Sequence, residues 1–253
     1  MSRRPLIEVC VSSVADAVDA VSAGAGRLEI CCALDVGGLT PSVALLESVL
    51  ARVTVPVVAM IRPRPGGFNY QADEIRTALS DAQWALRLGA SGVVFGFLKA
   101  DGCIDAARCQ AMIETAGERD TVFHRAFDFV HDPLATADQL VGLGVTRLLT
   151  SGQRSSALEG ADMIRTIADR TRGKLQVMPG GGIRPENVCT VLEKTGCDQL
   201  HVGAALAKED RSLDGNPDID LVAAQFLRGN TFRKLDSQMI SQLARAVLPG
   251  ESE

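Results

Sequence analysis

The clearest pattern along the chain is a repeated junction between a helix and a strand. A helix-like run is followed by a glycine, a small residue, two variable residues and a short apolar segment, and this junction begins at Gly24, Gly89, Gly144 and Gly196. Glycine suits the position after a helix, because it adopts a left-handed backbone conformation without a Cβ clash. The junctions are spaced at about twice the length of one βα unit. The pattern therefore predicts a further strand within each interval.

Apolar segments occupy the intervals and bring the predicted strands to eight. These segments are Leu6–Val11, Pro56–Ile61, Thr121–Ala126 and Leu175–Met178. The predicted helices are Ser13–Ala23, Ser42–Ala51, Ala72–Leu88, Asp105–Ala116, Pro133–Leu143, Ala157–Arg172, Pro185–Thr195 and Asp236–Val247. Ser42, Asp105 and Asp132 stand where N-caps are expected, and Pro133 suits the first helical position.

Eight alternating β and α units in 253 residues predict an α/β protein with a (β/α)8 barrel, the TIM-barrel fold. A doubly wound open sheet is the alternative, although such sheets usually contain fewer strands. No linker rich in Pro, Gly and Ser divides the chain, so we predict a single domain over residues 1–253. The polar segment 207–232 breaks the alternation and is predicted to form a long loop over the barrel mouth.

Composition excludes several classes of function. Lys and Arg number 26 against 31 Asp and Glu, and this net charge of -5 argues against a nucleic-acid or anionic-membrane partner. No apolar run reaches the roughly 18 residues of a membrane span, and the first residues lack the apolar core of a signal peptide. The 7 scattered cysteines predict thiols rather than a disulfide framework, so we expect a cytoplasmic protein.

In a (β/α)8 barrel the functional site forms where the strands end and the following loops begin. The first predicted strand ends with Glu8 and Cys10, and the second ends with Glu29 and Cys31. Residues two apart in a strand share a face, and a carboxylate is disfavoured between the barrel and its helices. Both Glu–Cys pairs are therefore predicted to face the barrel interior.

Charged and hydroxyl side chains also gather at the ends of the other strands. Buried carboxylates need charged or hydrogen-bonding partners, and Arg62, Arg125 and the histidines are the partners that the sequence offers. An internal salt-bridge network that closes the barrel would explain the same residues without catalysis. The candidate catalytic residues are Glu8, Glu29, Arg62, His124, Arg125, Asp128 and His201.

The turn after the seventh strand is the best candidate for an anion-binding loop. Gly180, Gly181 and Gly182 expose backbone N–H groups, and Pro185 begins the following predicted helix. Backbone donors and a helix N-terminus together favour phosphate or carboxylate, although glycines also serve simply to turn the chain tightly. The predicted ligand-binding residues are Thr150, Ser151, Gly180, Gly181, Gly182 and Gly203.

Long motifs in the chain resemble those of the CutC family and occur in the same order. The motifs are Leu28–Cys31, Gly37–Ser42, Ile61–Arg64, Phe123–Asp128, Leu149–Gly152 and Pro179–Ile183. The resemblance covers about residues 6–204 and the final helix, and it implies a TIM barrel, a cytoplasmic homo-oligomer and a role in copper homeostasis through copper binding. The chain departs from the family pattern at Cys32, Val202 and Gly203, so no shared thiol or hydroxyl chemistry is carried over to those positions.

The copper role that the resemblance implies has candidate ligands in this sequence. Copper(I) prefers thiolate and thioether ligands, and Cys10 and Cys31 would meet at the barrel mouth if the first two strands are neighbours. Cys32 and Met60 are further soft donors. Buried cysteines also pack as ordinary apolar residues, so the pattern leaves metal binding and packing open for Cys10 and Cys31.

The alternative is an enzyme of lyase, isomerase or hydrolase type that acts on a small anionic or phosphorylated metabolite. Arg62 and Arg125 would bind the anion, His124 or His201 would transfer protons, and the two glutamates would act as bases or bind a hard cation such as Mg²⁺. No lysine stands at a predicted strand end, which argues against a Schiff-base aldolase. A barrel that binds an anion without turnover is a third hypothesis.

Overall fold

Residues 4–213 and 231–247 are described by the computed structural model. Eight parallel strands in these ranges form the barrel. They are β1 (Leu6–Val11), β2 (Arg27–Ile30), β3 (Val57–Met60), β4 (Gly92–Phe95), β5 (Asp120–Phe123), β6 (Arg147–Thr150), β7 (Gln176–Pro179) and β8 (Gln199–Val202). The strands pair in the order β7-β6-β5-β4-β3-β2-β1-β8, and a bridge between Gly180 and His201 joins β7 to β8. The predicted (β/α)8 barrel is confirmed, and the open doubly wound sheet is wrong.

Eight helices surround the strands in the described ranges. They are α1 (Val14–Ser22), α2 (Val43–Leu50), α3 (Ala72–Leu88), α4 (Ala106–Ala116), α5 (Pro133–Leu143), α6 (Ala161–Arg170), α7 (Val188–Thr195) and α8 (Ser237–Ala246). The side chains of Ser42, Asp105 and Asp132 accept hydrogen bonds from first-turn backbone N–H groups, which confirms the predicted N-caps. Within the described ranges, no helix combines the length and apolarity that crossing a bilayer requires.

Two helices begin later than predicted because the preceding chain is used for turns. The helix predicted from Pro185 begins at Val188, and the backbone N–H of Arg184 donates to Asn187 Oδ1 at 2.9 Å in the turn before it. The helix predicted from Ala157 begins at Ala161, after a turn that packs Gly160 against the end of β6. The anion-binding loop predicted at residues 180–182 is therefore not followed directly by a helix N-terminus.

Strand alternation separates the apolar residues into two clusters. The larger cluster lies between the strands and the helices, and it contains Val9, Leu28 and Ile30 among many others. The smaller cluster fills the barrel interior. Its members are Cys10, Cys31, Val58, Met60, Val94, Val122, Leu149 and Met178. Alternate residues of β1 and β2 thus face opposite surfaces, as the sequence predicts.

The mouth loop predicted over residues 207–232 is corrected in part. A two-stranded antiparallel hairpin, β9 (Ala205–Glu209) and β10 (Thr231–Leu235), contains both ends of that segment, and residues 214–230 lie outside the described residues. Arg233 of β10 forms an ion pair with Asp35, in the loop after β2. An exposed hairpin that is rich in charged residues has the same composition as a loop. Composition alone therefore does not distinguish a hairpin from a loop in this segment.

Candidate functional site at the barrel mouth

A cavity of about 460 Å³ opens at the carboxyl ends of the strands. Its volume lies within the range typical of small-molecule sites. Its wall carries one carboxylate, two histidines and four arginines from widely separated parts of the chain. These side chains are Glu29, His124, His201, Arg62, Arg125, Arg184 and Arg233. Among the described residues the wall is thus rich in arginine, although two of these arginines, Arg125 and Arg233, form ion pairs with Asp128 and Asp35.

Below the cavity, the carboxylate of Glu8 is fully buried and bridges two cationic side chains. One oxygen accepts from Arg27 Nε, and the other lies 2.8 Å from His201 Nδ1. The register of β1 places Glu8 opposite Arg27 on β2 and His201 on β8, so the three side chains meet inside the barrel. Arg27 also donates to Gln199 Oε1 at 2.8 Å. Arg62, Arg125 and the histidines are the partners predicted for the buried carboxylates; His201 does pair with Glu8, whereas Arg27 takes the place expected of Arg62 or Arg125.

The Glu8 cluster sets the charge of His201. Burial alone would raise the pKa of Glu8, but its hydrogen bond to His201 and the charges of His201 and Arg27 outweigh burial and lower that pKa to about 2. Burial would lower the pKa of His201, but the charges of Glu29 and Glu8 outweigh it and raise that pKa above 6.5. Because Nδ1 of His201 binds Glu8, Nε2 is the ring nitrogen left for a ligand.

The two Glu–Cys pairs face the interior, as the strand alternation predicts. Cys10 Sγ and Cys31 Sγ lie 3.4 Å apart, and one carboxylate oxygen of Glu29 lies within 4.8 Å of both sulfur atoms. The buried Oε2 of Glu29 has no hydrogen-bond partner among the described residues. Burial raises the pKa of Glu29, and the hydrogen bond to Cys31, together with burial, raises the pKa of Cys10 well above 9.0.

His124 is held as a neutral imidazole. Its Nδ1 accepts the backbone N–H of Ala126 at 3.1 Å, which assigns the ring proton to Nε2. Burial and the nearby charge of Arg62 lower the pKa of His124 to about 3. The buried Nε2 has no partner among the described residues. His124 therefore presents an unused hydrogen-bond donor at neutral pH, and it is not a group that titrates near pH 7.

Arg62 organises the loops around the mouth rather than neutralising a carboxylate. Its Nη1 donates to the backbone oxygens of Val36 and Gly38 at 2.7 and 3.0 Å, and its Nη2 donates to that of Gly66 at 2.8 Å. The guanidinium carbon also lies 5.4 Å from the centre of the Phe68 ring. Carbonyl partners leave the positive charge uncompensated, so Arg62 still contributes to the cationic field of the cavity.

Asp128 holds the loop after β6 against Arg125. Its carboxylate accepts from Thr150 Oγ1 at 2.5 Å, from Ser151 Oγ at 2.9 Å and from Arg125 Nε at 2.8 Å. Arg125 Nη2 also donates to Ser151 Oγ at 2.8 Å. Thr150, Ser151 and Asp128 therefore fix the position of Arg125, which is the member of this group that lines the cavity.

The glycine turn after β7 lies beside the cavity and close to Arg125. A Cβ atom added to Gly181 would lie 3.5 Å from Arg125 Nη1. The N–H of Gly180 already donates to the backbone oxygen of Thr150. Of the six predicted ligand-binding residues, Gly203 is in the cavity wall, and the other five are not part of it: Thr150, Ser151, Gly180, Gly181 and Gly182.

The remaining cysteines lie apart from the Cys10–Cys31 pair. Cys32 Sγ contacts the backbone oxygen of Thr40 at 3.1 Å and is outside the cavity wall. Cys109 is buried and Cys197 is half-buried. Cys103 and Cys189 are exposed. Met60, the other soft donor named from the sequence, packs with Cys10 and Cys31 and lines the cavity.

Sequence reasoning missed Arg27, Arg184 and Arg233. Arg27 carried a usable signal, since it stands two residues before Glu29 in β2 and must share its face. Arg184 follows directly after the glycine turn, and that position gave a weaker signal. Arg233 reaches the mouth on a hairpin that the sequence pattern did not predict, so its role depended on tertiary structure.

Replacing Glu8 by Gln preserves the volume of the side chain but leaves the Arg27 guanidinium buried without its counter-charge. We expect the free energy of unfolding in urea at pH 7 to fall by about 3–5 kcal/mol. The stabilisation by Glu8 is present above its unfolded pKa of 4.5 and is lost as pH falls towards about 2, so the difference from the unsubstituted protein should narrow over that interval.

The matched control is Asp138→Asn, which removes an exposed ion pair with Arg170. This control should lower the free energy of unfolding far less than Glu8→Gln does, because solvent screens an exposed ion pair. Equal losses in the two variants, or a Glu8→Gln effect that is independent of pH below 4.5, would show that the buried pair does not stabilise the barrel.

Comparison with known proteins identifies the family. The model of the CutC family matches residues 5–206. A CutC family protein of Treponema denticola is 48% identical over 84% of this chain and 87% of its own length, and a copper homeostasis protein cutC homolog of Mus musculus is 45% identical over 81% and 75%. The crystal structure of a CutC protein from Streptococcus agalactiae superposes with a TM-score of 0.74 at 32% identity, covering 79% of this chain and 98% of that one. The chain is therefore a member of the CutC family of copper homeostasis proteins.

Proposed function

We propose that this protein binds one copper(I) ion through Cys10 and Cys31. The observation that carries the proposal is the 3.4 Å separation of the two sulfur atoms inside the barrel. Cys10 lies on β1, and Cys31 directly follows β2, where its backbone N–H donates to the backbone oxygen of Val11 at 3.1 Å, so the barrel backbone fixes the spacing of the two sulfur atoms. The copper homeostasis assignment of the relatives supports the same chemistry.

The surroundings of the two sulfur atoms suit a soft monovalent cation. Thiolate and thioether donors favour copper(I) over harder ions, and Met60 packs in the same interior cluster as the cysteines. Two thiolates and one copper(I) ion carry a net negative charge, which the neighbouring protonated His201 would compensate. A buried site with the positive charge of His201 nearby therefore favours the copper-bound state over two free thiolates.

Binding requires both thiols to lose their protons. The raised pKa of Cys10 means that this thiol is protonated at neutral pH, so copper must displace its proton. Glu29 lies beside both sulfur atoms and is the nearest carboxylate to receive a proton. Apparent copper affinity should consequently rise with pH, because each released proton favours binding at higher pH.

The test is an anaerobic titration of the reduced protein with copper(I) against a competing chromogenic chelator. We expect one ion per chain with a dissociation constant below about 1 nM. The double variant Cys10→Ser/Cys31→Ser should lose this binding. The matched control Cys103→Ser/Cys189→Ser removes two exposed thiols and should bind as the unsubstituted protein does.

Two outcomes would contradict the copper proposal. One is weak binding, in the micromolar range or above, by the unsubstituted protein. The other is tight binding that persists in Cys10→Ser/Cys31→Ser and is lost in the exposed-thiol control, which would place the ion elsewhere on the surface.

The charge of the mouth favours a second candidate function. Four arginines line the entrance to the cavity; Asp128 and Asp35 pair with two of them, and the other two, Arg62 and Arg184, donate to backbone oxygens, so their positive charge favours an anion. We infer that a small anionic or phosphorylated metabolite is the alternative ligand, bound by Arg125, Arg184 and Arg233. The side chains of the cavity wall suit the acid–base chemistry that lyases, isomerases and hydrolases use.

In this second candidate, two of the buried atoms that lack a hydrogen-bond partner among the described residues have complementary roles. The carboxylate of Glu29, with its raised pKa and free Oε2, would accept a proton from the substrate. His124 Nε2 would donate a hydrogen bond to a substrate oxygen while the ring stays neutral. His201 would supply a fixed positive charge from the side of β8. Asp128 acts through Arg125, which it positions.

The second candidate is tested by incubating the protein with a mixture of sugar monophosphates and small dicarboxylates. Binding should raise the melting temperature, since a ligand at about 100 times its dissociation constant contributes about 2.7 kcal/mol. Arg125→Gln should abolish the shift, and Arg172→Gln, an exposed arginine outside the mouth, should retain it. NMR of the mixture should show turnover that Glu29→Gln removes while binding persists.

A rise in melting temperature without turnover would instead indicate a barrel that binds the anion without catalysing a reaction. No shift with any compound, or an equal shift in Arg125→Gln, would contradict anion binding at the mouth. Neither result affects the copper titration, so the two candidates are separable.

The proposed cellular setting is a cytoplasmic homo-oligomer that handles a metal ion or a small anionic ligand, without nucleic acid or membrane as partner. All seven cysteines are free thiols, which suits a reducing compartment. Exposed Trp84 and Phe129 are among the apolar side chains available for contacts between subunits.

A further inference from the structure

A second cavity lies at the opposite end of the barrel, where the strands begin. It has a volume of about 460 Å³, and Arg4, Arg27 and Arg147 contribute to its wall. Gln176 and Gln199, at the starts of β7 and β8, also line it. We propose that this cavity is a binding site for a small oxyanion of the phosphate or sulfate type, separate from the mouth and its proposed functions.

Arg147 provides the first reason for the proposal. Its side chain is only 5% exposed, its Nη2 donates to Asp120 Oδ2 at 3.2 Å, and its Nε donates to Gln176 Oε1 at 3.3 Å. The buried Nη1 has no partner among the described residues. A buried guanidinium N–H without an acceptor is costly, so this position favours a ligand oxygen.

The proximity of Arg27 and Arg147 provides the second reason. Both guanidinium groups are buried and line the same cavity. Burial and, next, the charge of Arg27 lower the pKa of Arg147, while Asp120 and Glu8 oppose this shift, so the two guanidinium groups are near enough for their like charges to interact. An anion between them would relieve this repulsion, and guanidinium groups are the side chains best suited to bind oxyanions with paired hydrogen bonds.

The other polar groups of the cavity narrow the class of ligand. Gln199 Oε1 accepts from Arg27 and its Nε2 donates to Gln176 Oε1, so the two amides satisfy each other and the arginine. Acidic groups are present as well: Glu8 pairs with Arg27, Asp120 pairs with Arg147, and Asp198 lines the wall. The one buried donor of this wall without a partner among the described residues, Arg147 Nη1, belongs to a guanidinium group, which favours an oxyanion over a cation or a neutral polar molecule.

The exposed Arg4 extends the site to the surface. Its Nη2 donates to the backbone oxygen of Ala244 at 3.1 Å, which holds the side chain at the entrance. The cavity is larger than one tetrahedral oxyanion, so it also accommodates the organic part of a phosphate monoester. The recognised chemistry is the phosphate group itself, and inorganic phosphate is therefore a suitable probe.

The test is calorimetric titration of the whole protein with inorganic phosphate at low ionic strength, where charge screening is weak. Saturable binding with a millimolar or tighter dissociation constant is expected. Arg147→Gln should weaken binding at least about tenfold. Arg4→Ala should weaken it severalfold. Arg172→Gln, an exposed arginine outside the cavity, should bind unchanged.

Arg125→Gln locates the binding. If phosphate binds where the strands begin, the binding event that Arg147→Gln weakens keeps its affinity in Arg125→Gln, and any separate event that Arg125→Gln removes belongs to the mouth. Loss of binding in Arg125→Gln with retention in Arg147→Gln would place the anion at the mouth and overturn the proposal, as would the absence of saturable binding. If Arg147→Gln fails to fold by circular dichroism, the exposed Arg4→Ala variant decides the question, and unchanged affinity in that variant overturns the proposal.

Discussion

The constraint on which the interior depends is the complete burial of the Glu8 carboxylate. An isolated charge in that position would be prohibitively costly. The register of the barrel solves the problem by placing Arg27 and His201 directly beside it. The resulting chain of contacts connects the two ends of the barrel: Arg27 reaches the cavity where the strands begin, and His201 reaches the mouth.

Glu8 also explains why the two histidines of the mouth behave differently. The charges of Glu29 and Glu8 raise the pKa of His201, whereas burial and the charge of Arg62 lower the pKa of His124 to about 3. The mouth therefore contains a fixed cation, a neutral donor and a buried carboxylate. This set of groups is consistent with charge compensation of a copper–thiolate site and also with acid–base chemistry on an anion. The cysteine pair favours the first function and the arginines favour the second.

The fold was largely predictable, because glycine junctions and strand alternation are local signals. The same alternation correctly placed Glu29 and Cys31 inside the barrel. The hydrogen-bond partners of the charged side chains were less predictable, since they depend on which strands and loops become neighbours. Glu8 accepts from Arg27, and Arg62 donates to backbone oxygens. Residues of the mouth that arrive on loops or on the hairpin gave no periodic signal.

The most direct test of this account is a pH titration of the imidazole nitrogen shifts of the three histidines by ¹⁵N NMR, assigned with single His→Gln variants. The account predicts that His201 stays protonated above pH 6.5 and that His124 stays neutral, with its proton on Nε2, until the pH approaches 3. Two histidines that both titrate near 6.5, or a neutral His201 at pH 6, would contradict the buried-charge account.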